Sequence, residues 1–275
     1  MKWLFVLVLA VVIFGTAAFF AYDLFVKPEK QIKAEQTGEA PTPPPADVSG
    51  PEFQQAAQLR QEGKLAECRD ALVLFLQKYP AGQHTEQAKD ILGDVNMQIL
   101  LSDYPSPEKQ DYIVRAGDVI NRVAQKTKTT PELIMKLNGL DSTMLRIGER
   151  LWIAHPDFAL FIQRRAQEVV LLNHGGFFKR YKLTVLKVPA KQAPRINTKV
   201  AEVIAWRFGK RVGLGSRDYR AAIHWVRLAQ PGYTLYADPP TNDSPPPPAG
   251  LGMNANDLDE LSSLVNKNTA VTITE

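Results

Sequence analysis

Apolar residues change their spacing several times along the chain, and each change marks a different predicted element. The first is an uninterrupted apolar run, WLFVLVLAVVIFGTAAFFA, which covers residues 3–21 and follows Lys2. About 20 apolar residues match the thickness of a bilayer core. Bulky aromatic residues continue to the end of the run, which favours an uncleaved transmembrane anchor at residues 1–26. A cleaved signal peptide, with its shorter apolar core, is the alternative.

A polar tether and a helical segment are predicted next. Residues 27–51 are rich in proline and lack a core-forming pattern, so we expect an extended linker. In residues 52–104 the apolar positions recur every three or four residues, with breaks at Gly63-Lys64 and at residues 80–82. This pattern predicts helix, turn, helix, loop and helix.

The helical segment resembles one tetratricopeptide unit in its small-residue packing, its EGK turn and its YP exit. One such unit cannot bury its apolar face alone. We therefore expect the helices to pack on a neighbouring domain or to space it from the anchor. A surface for protein partners on these helices is the alternative.

Residues 111–154 combine two alternating strands with two short helices. Gly117-Asp118 predicts a turn into the first helix, and Thr130 with Pro131 predicts the N-cap and first turn of the second. Asn138-Gly139 ends that helix. The expected core residues are Tyr112, Val114, Ile120, Val123, Ala124, Leu133, Ile134, Leu137, Leu145, Ile147, Leu151 and Ile153.

Three motifs in this segment, YIVRAGD, IMKLNGLD and LRIGERLWI, resemble a LysM module over its whole length. The resemblance implies a βααβ fold that binds N-acetylglucosamine polymers, peptidoglycan or chitin, in a shallow groove between two loops. The residues it assigns to that groove are Gly117, Asp118, Val119, Asn138, Gly139, Leu140 and Asp141. A role in turn geometry alone is the alternative for the glycines and for Asn138. Val119-Ile120 departs from the family, which often has a small hydroxyl residue before the apolar one.

From residue 157 to residue 275 the pattern is that of strands. Apolar and polar residues alternate on both sides of NHGG, which predicts a hairpin, and ANDLDELSSLV predicts one short helix. This mostly-β segment resembles the L,D-transpeptidase catalytic domain in its first hairpin, in WVRLAQPGYTLYA and in GLGMNANDLDELSSLVNKNTAVTI. The predicted fold class is therefore multidomain α+β: a transmembrane helix, a tetratricopeptide-like segment, a LysM module and a transpeptidase-like domain.

The catalytic residues that this resemblance implies are missing. The family uses a cysteine thiolate as nucleophile and a histidine as base. The nucleophile position falls at about Gly250, the following arginine at Gly252 and the histidine near Tyr236. The serine-histidine-glycine that precedes the nucleophile falls at about residues 247–249, Pro-Pro-Ala. We therefore expect no catalytic residues and no enzyme activity. An active wall transpeptidase or peptidase that uses other residues is the alternative.

Other candidate sites receive less support from the sequence. Ser216, Asp218 and His224 contain hydrolase residue types but no nucleophile elbow. His155 and His174 have no partners at metal-ligand spacing, so neither a metal nor a cofactor is expected.

Charge and cysteine content add two exclusions. The net charge of +4 is spread along the chain, which does not indicate nucleic-acid binding. The single cysteine, Cys68, excludes an internal disulfide and lies in a helical pattern typical of a buried thiol.

Together these patterns predict a single-pass protein of the bacterial inner membrane, held by residues 3–21. Because a LysM groove must reach the cell wall, we expect the later domains to face the periplasm or the wall. The expected partners are the membrane and the glycan strands of peptidoglycan.

Overall fold

A computed structural model describes residues 49–275, except 103, 105, 190–191, 245–246 and 248. The predicted anchor at residues 1–26 and nearly all of the tether at residues 27–51 lie outside the described residues. Within residues 49–275, no helix is both long enough and apolar enough to cross a bilayer. Residues 49–275 form one unit by their internal contacts.

Three helices open the described part of the chain: α1 (Gly50–Gln61), α2 (Leu65–Lys78) and α3 (Thr85–Leu101). The order agrees with the helix, turn, helix, loop and helix expected from periodicity. The first helix begins at Gly50, inside the predicted tether, because Pro51 occupies a favourable position in a first helical turn. Gly63 has a φ of +73° between α1 and α2, a backbone conformation that favours glycine.

The LysM segment folds as β1 (Lys109–Ile113), α4 (Ile120–Lys126), α5 (Pro131–Leu137) and β2 (Arg150–Ala154). β1 and β2 pair in antiparallel fashion, so the βααβ expectation is confirmed. The Thr130 hydroxyl accepts a hydrogen bond of 3.0 Å from the Leu133 N–H, which confirms the predicted N-cap.

The prediction that Ile147 lies in the LysM core is wrong. Its side chain is 74% exposed, whereas Leu145 is half-buried and packs on the core. The alternation used to place Ile147 inside applies only to strand, and β2 begins later, at Arg150. Residue 147 instead precedes a turn at Gly148, whose N–H donates to the Val114 carbonyl at 2.9 Å.

The C-terminal segment is a closed β-barrel. Its strands are β3 (Phe158–Gln163), β4 (Glu168–Asn173), β5 (Gly176–Lys187), β6 (Arg195–Arg207), β7 (Lys210–Val212), β8 (Ile223–Leu228), β9 (Thr234–Ala237), β10 (Gly250–Met253) and β11 (Ala270–Thr274). The order in the sheet is β11-β3-β4-β5-β10-β9-β8-β6-β7. β11 also pairs with β6, which closes a ring of eight strands and leaves β7 outside it. Closure removes exposed strand edges.

One helix, α6 (Ala255–Leu264), crosses from β10 to β11. Its apolar residues Leu258, Leu261 and Leu264 are buried in the same core as the barrel strands. The predicted hairpin around NHGG is also present, as β4 and β5 joined at residues 174–175. The expectation of a mostly-β segment with one short helix therefore agrees with the structure.

The predicted domains share one hydrophobic core. Met97 and Leu100 of α3, and Leu133 and Leu137 of α5, are buried in the cluster that the barrel strands and α6 form. Helix α3 approaches β5 closely at Gly93, where a Cβ atom would lie 2.9 Å from the Lys179 Cγ. The helical segment thus buries its second face on the barrel, as expected for a unit that cannot do so alone.

Candidate functional site

The first predicted glycan loop, Gly117 to Val119, lies on the exposed side of the LysM domain. The Asp118 carboxylate accepts hydrogen bonds of 2.8 Å from the Tyr112 hydroxyl and from the Arg115 N–H. These contacts hold the pKa of Asp118 below its usual value, with the Arg115 N–H as the largest cause. Val119 is 53% exposed. The loop is thus held by its own carboxylate and presents an apolar side chain to solvent.

Asn138 ties the end of α5 to β2. Its side-chain N–H groups donate to the Ile134 and Trp152 carbonyls, both at 2.8 Å. Its side-chain oxygen accepts from the Trp152 N–H at 2.7 Å. Both ends of the amide are therefore committed to holding the LysM fold. Of the seven predicted groove residues, Asn138 is the one with a complete structural explanation.

The rest of the second loop, Gly139 to Asp141, faces the barrel. Asp141 forms a surface ion pair with Arg220, and Gly139 and Leu140 line a cavity beside that arginine. Gly139 has a φ of +59°. Within the described part of the chain, no hydrogen bond or ion pair joins this loop to residues 117–119. The two predicted loops are therefore in different surroundings: the first presents Val119 to solvent, and the second lies beside the barrel.

A polar seam joins α5 to the barrel; we use the word for the contacts that link α5 to the turn at residues 219–221 and to α6. The Tyr219 hydroxyl donates to Glu132 at 2.6 Å, and the Lys136 ammonium lies 2.8 Å from the Asp259 carboxylate. The Thr130 hydroxyl donates to the Ser263 carbonyl. Burial and the Glu132 charge raise the pKa of Tyr219, so this hydroxyl keeps its proton.

A cavity of about 500 Å³ lies along this seam, and we call it the seam cavity. Its lining residues come from α3, α5, the second loop, the turn at residues 219–221, β8 and α6: Leu101, Glu132, Met135, Lys136, Gly139, Leu140, Tyr219, Arg220, His224, Asp259, Ser262 and Ser263. Apolar side chains and charges of both signs meet there. No local sequence motif marks the cavity, because its walls are brought together only by the docking of α5 on the barrel.

His224 and Asp259 are paired in the wall of the seam cavity. The His224 Nδ1 lies 3.3 Å from an Asp259 oxygen, an electrostatic contact without good hydrogen-bond alignment. This contact and the Lys136 ammonium lower the pKa of Asp259 to about 2. The carboxylate is therefore ionised near neutral pH. Sequence analysis named His224 only as part of a weak hydrolase set and could not pair it with a residue 35 positions away.

The positions assigned to transpeptidase catalysis are buried and closed. A Cβ atom on Gly250 would lie 2.4 Å from the Thr234 carbonyl oxygen and 3.2 Å from the Tyr236 ring. At Gly252 it would lie 2.9 Å from the Val185 Cβ. Tyr236 itself is 8% exposed, and burial raises its pKa. There is no space for a cysteine side chain at residue 250 in this backbone conformation.

The remaining candidates are also explained by their surroundings. Cys68 is fully buried among the helices, and burial raises the pKa of its thiol. Ser216 accepts a hydrogen bond from the Asp218 N–H, and no hydrogen bond joins it to His224 among the described residues. His155 contacts the Thr127 carbonyl through Nδ1 at 2.7 Å. Among the described residues of 49–275, no cluster of three or more histidine, cysteine, aspartate or glutamate side chains could hold a metal ion.

Comparison with known proteins identifies one segment by its sequence. Residues 112–154 match the family model described as LysM domain, so the chain contains a LysM domain at that place. A search of the curated proteins found no match.

Among solved structures, the chain is similar to L,D-transpeptidases. That of Mycobacterium smegmatis matches at 10% identity and a TM-score of 0.31, over 47% of this chain and 65% of that one. The C442S mutant of an Enterococcus faecium L,D-transpeptidase matches at 13% identity and a TM-score of 0.30. The match covers 42% of this chain and 49% of that one. L,D-transpeptidase 1 of Mycobacterium tuberculosis matches at 11% identity and a TM-score of 0.30. The match covers 46% of this chain and 67% of that one. This chain thus spans about half to two thirds of the length of those proteins.

Proposed function

We propose that this protein is a membrane-anchored envelope protein that binds the glycan strands of peptidoglycan through its LysM domain. The barrel then serves as a catalytically inactive scaffold or as a second recognition surface. The observation that carries the proposal is the LysM domain at residues 112–154. N-acetylglucosamine polymers, peptidoglycan or chitin, are the ligands implied by that resemblance, and an anchored bacterial protein would meet peptidoglycan.

The exposed loop supports binding to a polymer. Residues 117–119 are held by the Asp118 hydrogen bonds and leave Val119 at the surface. A shallow surface of this kind makes weak contacts with each sugar, and such contacts add up when one polymer engages many copies. Copies anchored in one membrane would meet the wall in this way.

The closed strand positions support the absence of catalysis. The place assigned to the nucleophile is Gly250, whose Cβ direction is filled by the Thr234 carbonyl. The chain has one cysteine, Cys68, and it is buried in the helical cluster. A thiolate mechanism needs an accessible, ionised thiol. Neither residue offers one, so the barrel is proposed to hold the LysM domain in place rather than to act on wall peptides.

The apolar run at residues 3–21 supports attachment to the inner membrane, with the later domains in the periplasm or cell wall. Residues 27–48, which are polar and rich in proline, would then span the distance between bilayer and wall. An anchored binder has a high effective concentration near its ligand, which compensates for weak contacts per sugar.

The test is co-sedimentation of the full chain, kept in detergent, with purified peptidoglycan. We expect the native chain to sediment and Val119→Glu to bind about tenfold more weakly, since a charge would replace an apolar contact. Leu74→Glu is the matched control, because Leu74 on α2 is 65% exposed and far from the LysM loops in sequence. Failure of the native chain to sediment would refute the proposal.

Catalytic inactivity has its own assay. The full chain is incubated with wall peptides and a labelled D-amino acid, and incorporation of the label is measured. We expect none above a no-protein control. Incorporation would identify an active transpeptidase and exclude the scaffold proposal for the barrel, while leaving glycan binding untouched.

A further inference from the structure

A second and larger cavity lies where the LysM domain meets the start of the barrel, and we call it the junction cavity. Its volume is about 690 Å³, which is within the range of small-molecule sites. Its walls come from the turn between α4 and α5, the chain after β2, the hairpin between β4 and β5, and the loop between α6 and β11. It shares no wall residue with the seam cavity.

The junction cavity and the predicted glycan loops lie at opposite ends of the two LysM helices. α4 begins next to Val119, and its far end leads to Lys128 in the cavity wall. α5 begins next to Thr130 in that wall and ends next to Asn138. Each helix has seven residues and is therefore about 10 Å long. The cavity is thus separate from both loops but close enough for one polymer strand to contact both places.

The walls of the junction cavity carry polar side chains that the protein itself does not use. Four exposed side chains there make no hydrogen bond or ion pair with any described residue: Lys128, Asp157, His174 and Asn266. They come from four different segments of the chain. Folding therefore gathers unpaired polar groups around one concave surface, where a ligand can reach several of them at once.

The backbone gives a second reason to assign a role to these side chains. Five non-glycine residues of the described chain have a positive φ, and three of them line this cavity: Lys128 at +54°, His174 at +49° and Asn268 at +89°. Glycine adopts such a φ without steric cost, whereas a residue with a Cβ atom does not. Side chains are therefore present at three positions that favour glycine, and the cavity is what the three positions share.

The charges of the cavity do not favour an ionic ligand. Lys128 and Asp157 carry opposite charges and both lie in its walls. The His174 imidazole and the Asn266 amide can each donate and accept hydrogen bonds. The ligand should therefore be a neutral molecule that offers both donors and acceptors.

The cavity also has an apolar part, to which Pro156, Phe158 and Leu264 contribute. A ligand with hydroxyl groups, an amide and small apolar faces uses both kinds of wall. An N-acetylated sugar has all three, and it belongs to the ligand class that the LysM resemblance implies. No cluster of metal-binding side chains is present in the described chain, so the cavity is not assigned to a metal ion.

We propose that the junction cavity binds an N-acetylated sugar unit of the glycan, with His174 and Asn266 hydrogen-bonded to its hydroxyl and acetamido groups. This inference rests on the proposed function, because the LysM domain supplies the ligand class. It gives the barrel a direct part in glycan recognition, since β3, the β4–β5 hairpin and the α6–β11 loop form most of the cavity wall.

The test is calorimetric titration of the full chain, kept in detergent, with a soluble tetrasaccharide of N-acetylglucosamine. Val119→Glu weakens the loop site and so isolates the junction cavity. We expect this variant to retain tetrasaccharide binding. Adding His174→Gly should then weaken the retained binding about fivefold, as expected for one lost hydrogen bond between uncharged groups. Glycine at residue 174 keeps the positive φ while it removes the imidazole.

The matched control is Gln167→Gly in the same Val119→Glu background. Gln167 is also exposed and has a φ of +52°, but it lies in the hairpin between β3 and β4 and does not line the cavity. It should leave the retained binding unchanged. If thermal melting shows that His174→Gly does not fold, Asn266→Ala, in a different loop, replaces it with the same expected loss.

The outcomes separate this inference from the proposed function. Tetrasaccharide binding by the native chain that Val119→Glu abolishes would overturn the junction site and leave the LysM loop as the glycan site. Retained binding that neither His174→Gly nor Asn266→Ala weakens, or that Gln167→Gly weakens equally, would also overturn it. Absence of binding by the native chain would contradict the proposed function itself.

Discussion

The LysM domain and the barrel place their predicted functional positions in opposite surroundings. In the LysM domain, the loop at residues 117–119 is at the surface, with Val119 53% exposed. In the barrel, Gly250 lies in a buried strand where even one added carbon would meet the Thr234 carbonyl. A surface loop can bind a polymer with the atoms it already exposes. A catalytic strand position needs a side chain and space, and residue 250 has neither in this backbone conformation.

The same two regions nevertheless belong to one compact unit. α5 is a LysM helix by sequence, yet its Leu133 and Leu137 are buried with the barrel strands, while its Ile134 belongs to the LysM core. One helix therefore serves two cores with adjacent residues. Deleting residues 111–154 to test glycan binding would also remove part of the barrel core, so single substitutions are the better tool.

The largest expected effect comes from substituting Leu133, a LysM residue that is buried in the barrel core. Leu133→Ala should lower the free energy of unfolding by about 2–5 kcal/mol, because a fully packed leucine leaves a cavity. Leu133 is 1% exposed within the shared core. Hydrogen exchange should show faster opening of the barrel strands as well as of the LysM segment.

Val123→Ala is the control for that experiment, since Val123 is equally buried but lies in the separate LysM core, against which Leu214 of the barrel segment packs. It should speed exchange in the LysM segment much more than in the barrel. Equal effects of both variants on barrel exchange would contradict the assignment of Leu133 to a shared core.

A smaller effect tests the closed position in the barrel. Gly250→Cys should destabilise the protein by about 1–3 kcal/mol through overpacking against the Thr234 carbonyl. Chemical denaturation measures the loss, and labelling with a thiol reagent should show that the new cysteine is protected in the folded chain. Gly213→Cys is the control, because a Cβ there meets nothing within 4 Å. Rapid labelling of residue 250 at full stability would show that the strand is open.

The smallest effect concerns the polar seam between the regions. The pKa of Asp259 in the folded protein is about 2, below its ordinary value of 3.8. The contacts of Asp259 with His224 and Lys136 therefore stabilise the fold at pH values above 3.8. This contribution should be lost as the pH falls from about 4 to about 2. Because 52% of the side chain is exposed, solvent screening reduces it to about 1 kcal/mol or less.

Denaturation at a series of pH values measures this contribution. Asp259→Asn should flatten the stability profile between pH 4 and pH 2 while leaving the rest of the acid dependence in place. An unchanged slope in that window would show that Asp259 does not titrate below its ordinary range. Asp141→Asn is the control. It removes an ion pair with Arg220 in which both side chains are largely exposed, so it should change the profile little.

Local signals in the sequence predicted most of the secondary structure. Gly63 and residues 80–82 separate three helices, Thr130 caps α5, and NHGG joins two strands. Each depends on backbone preferences of a few neighbouring residues, which is why it could be recognised without the fold. One exception was Ile147, where an alternating pattern appeared in the sequence before the strand begins at Arg150.

The candidate site was predictable only in part. The LysM motifs located the two loops, but not that Asn138 is committed to holding β2 or that Asp141 faces the barrel. The seam cavity was not predicted at all. His224 and Glu132 lie 92 positions apart, and no pattern within either segment records that α5 docks beside β8.

The sequence alone thus determined the LysM domain, the order of the elements and the absence of a cysteine from the strand positions that resemble a catalytic site. Its information was sufficient because caps, turns and alternation act over a few residues. Only the tertiary structure decided that β11 closes the barrel between β3 and β6, that one core joins three predicted segments, and that His224 lies 3.3 Å from Asp259 in the wall of the seam cavity. Those features depend on complementary packing between residues far apart in the chain, which no local preference encodes.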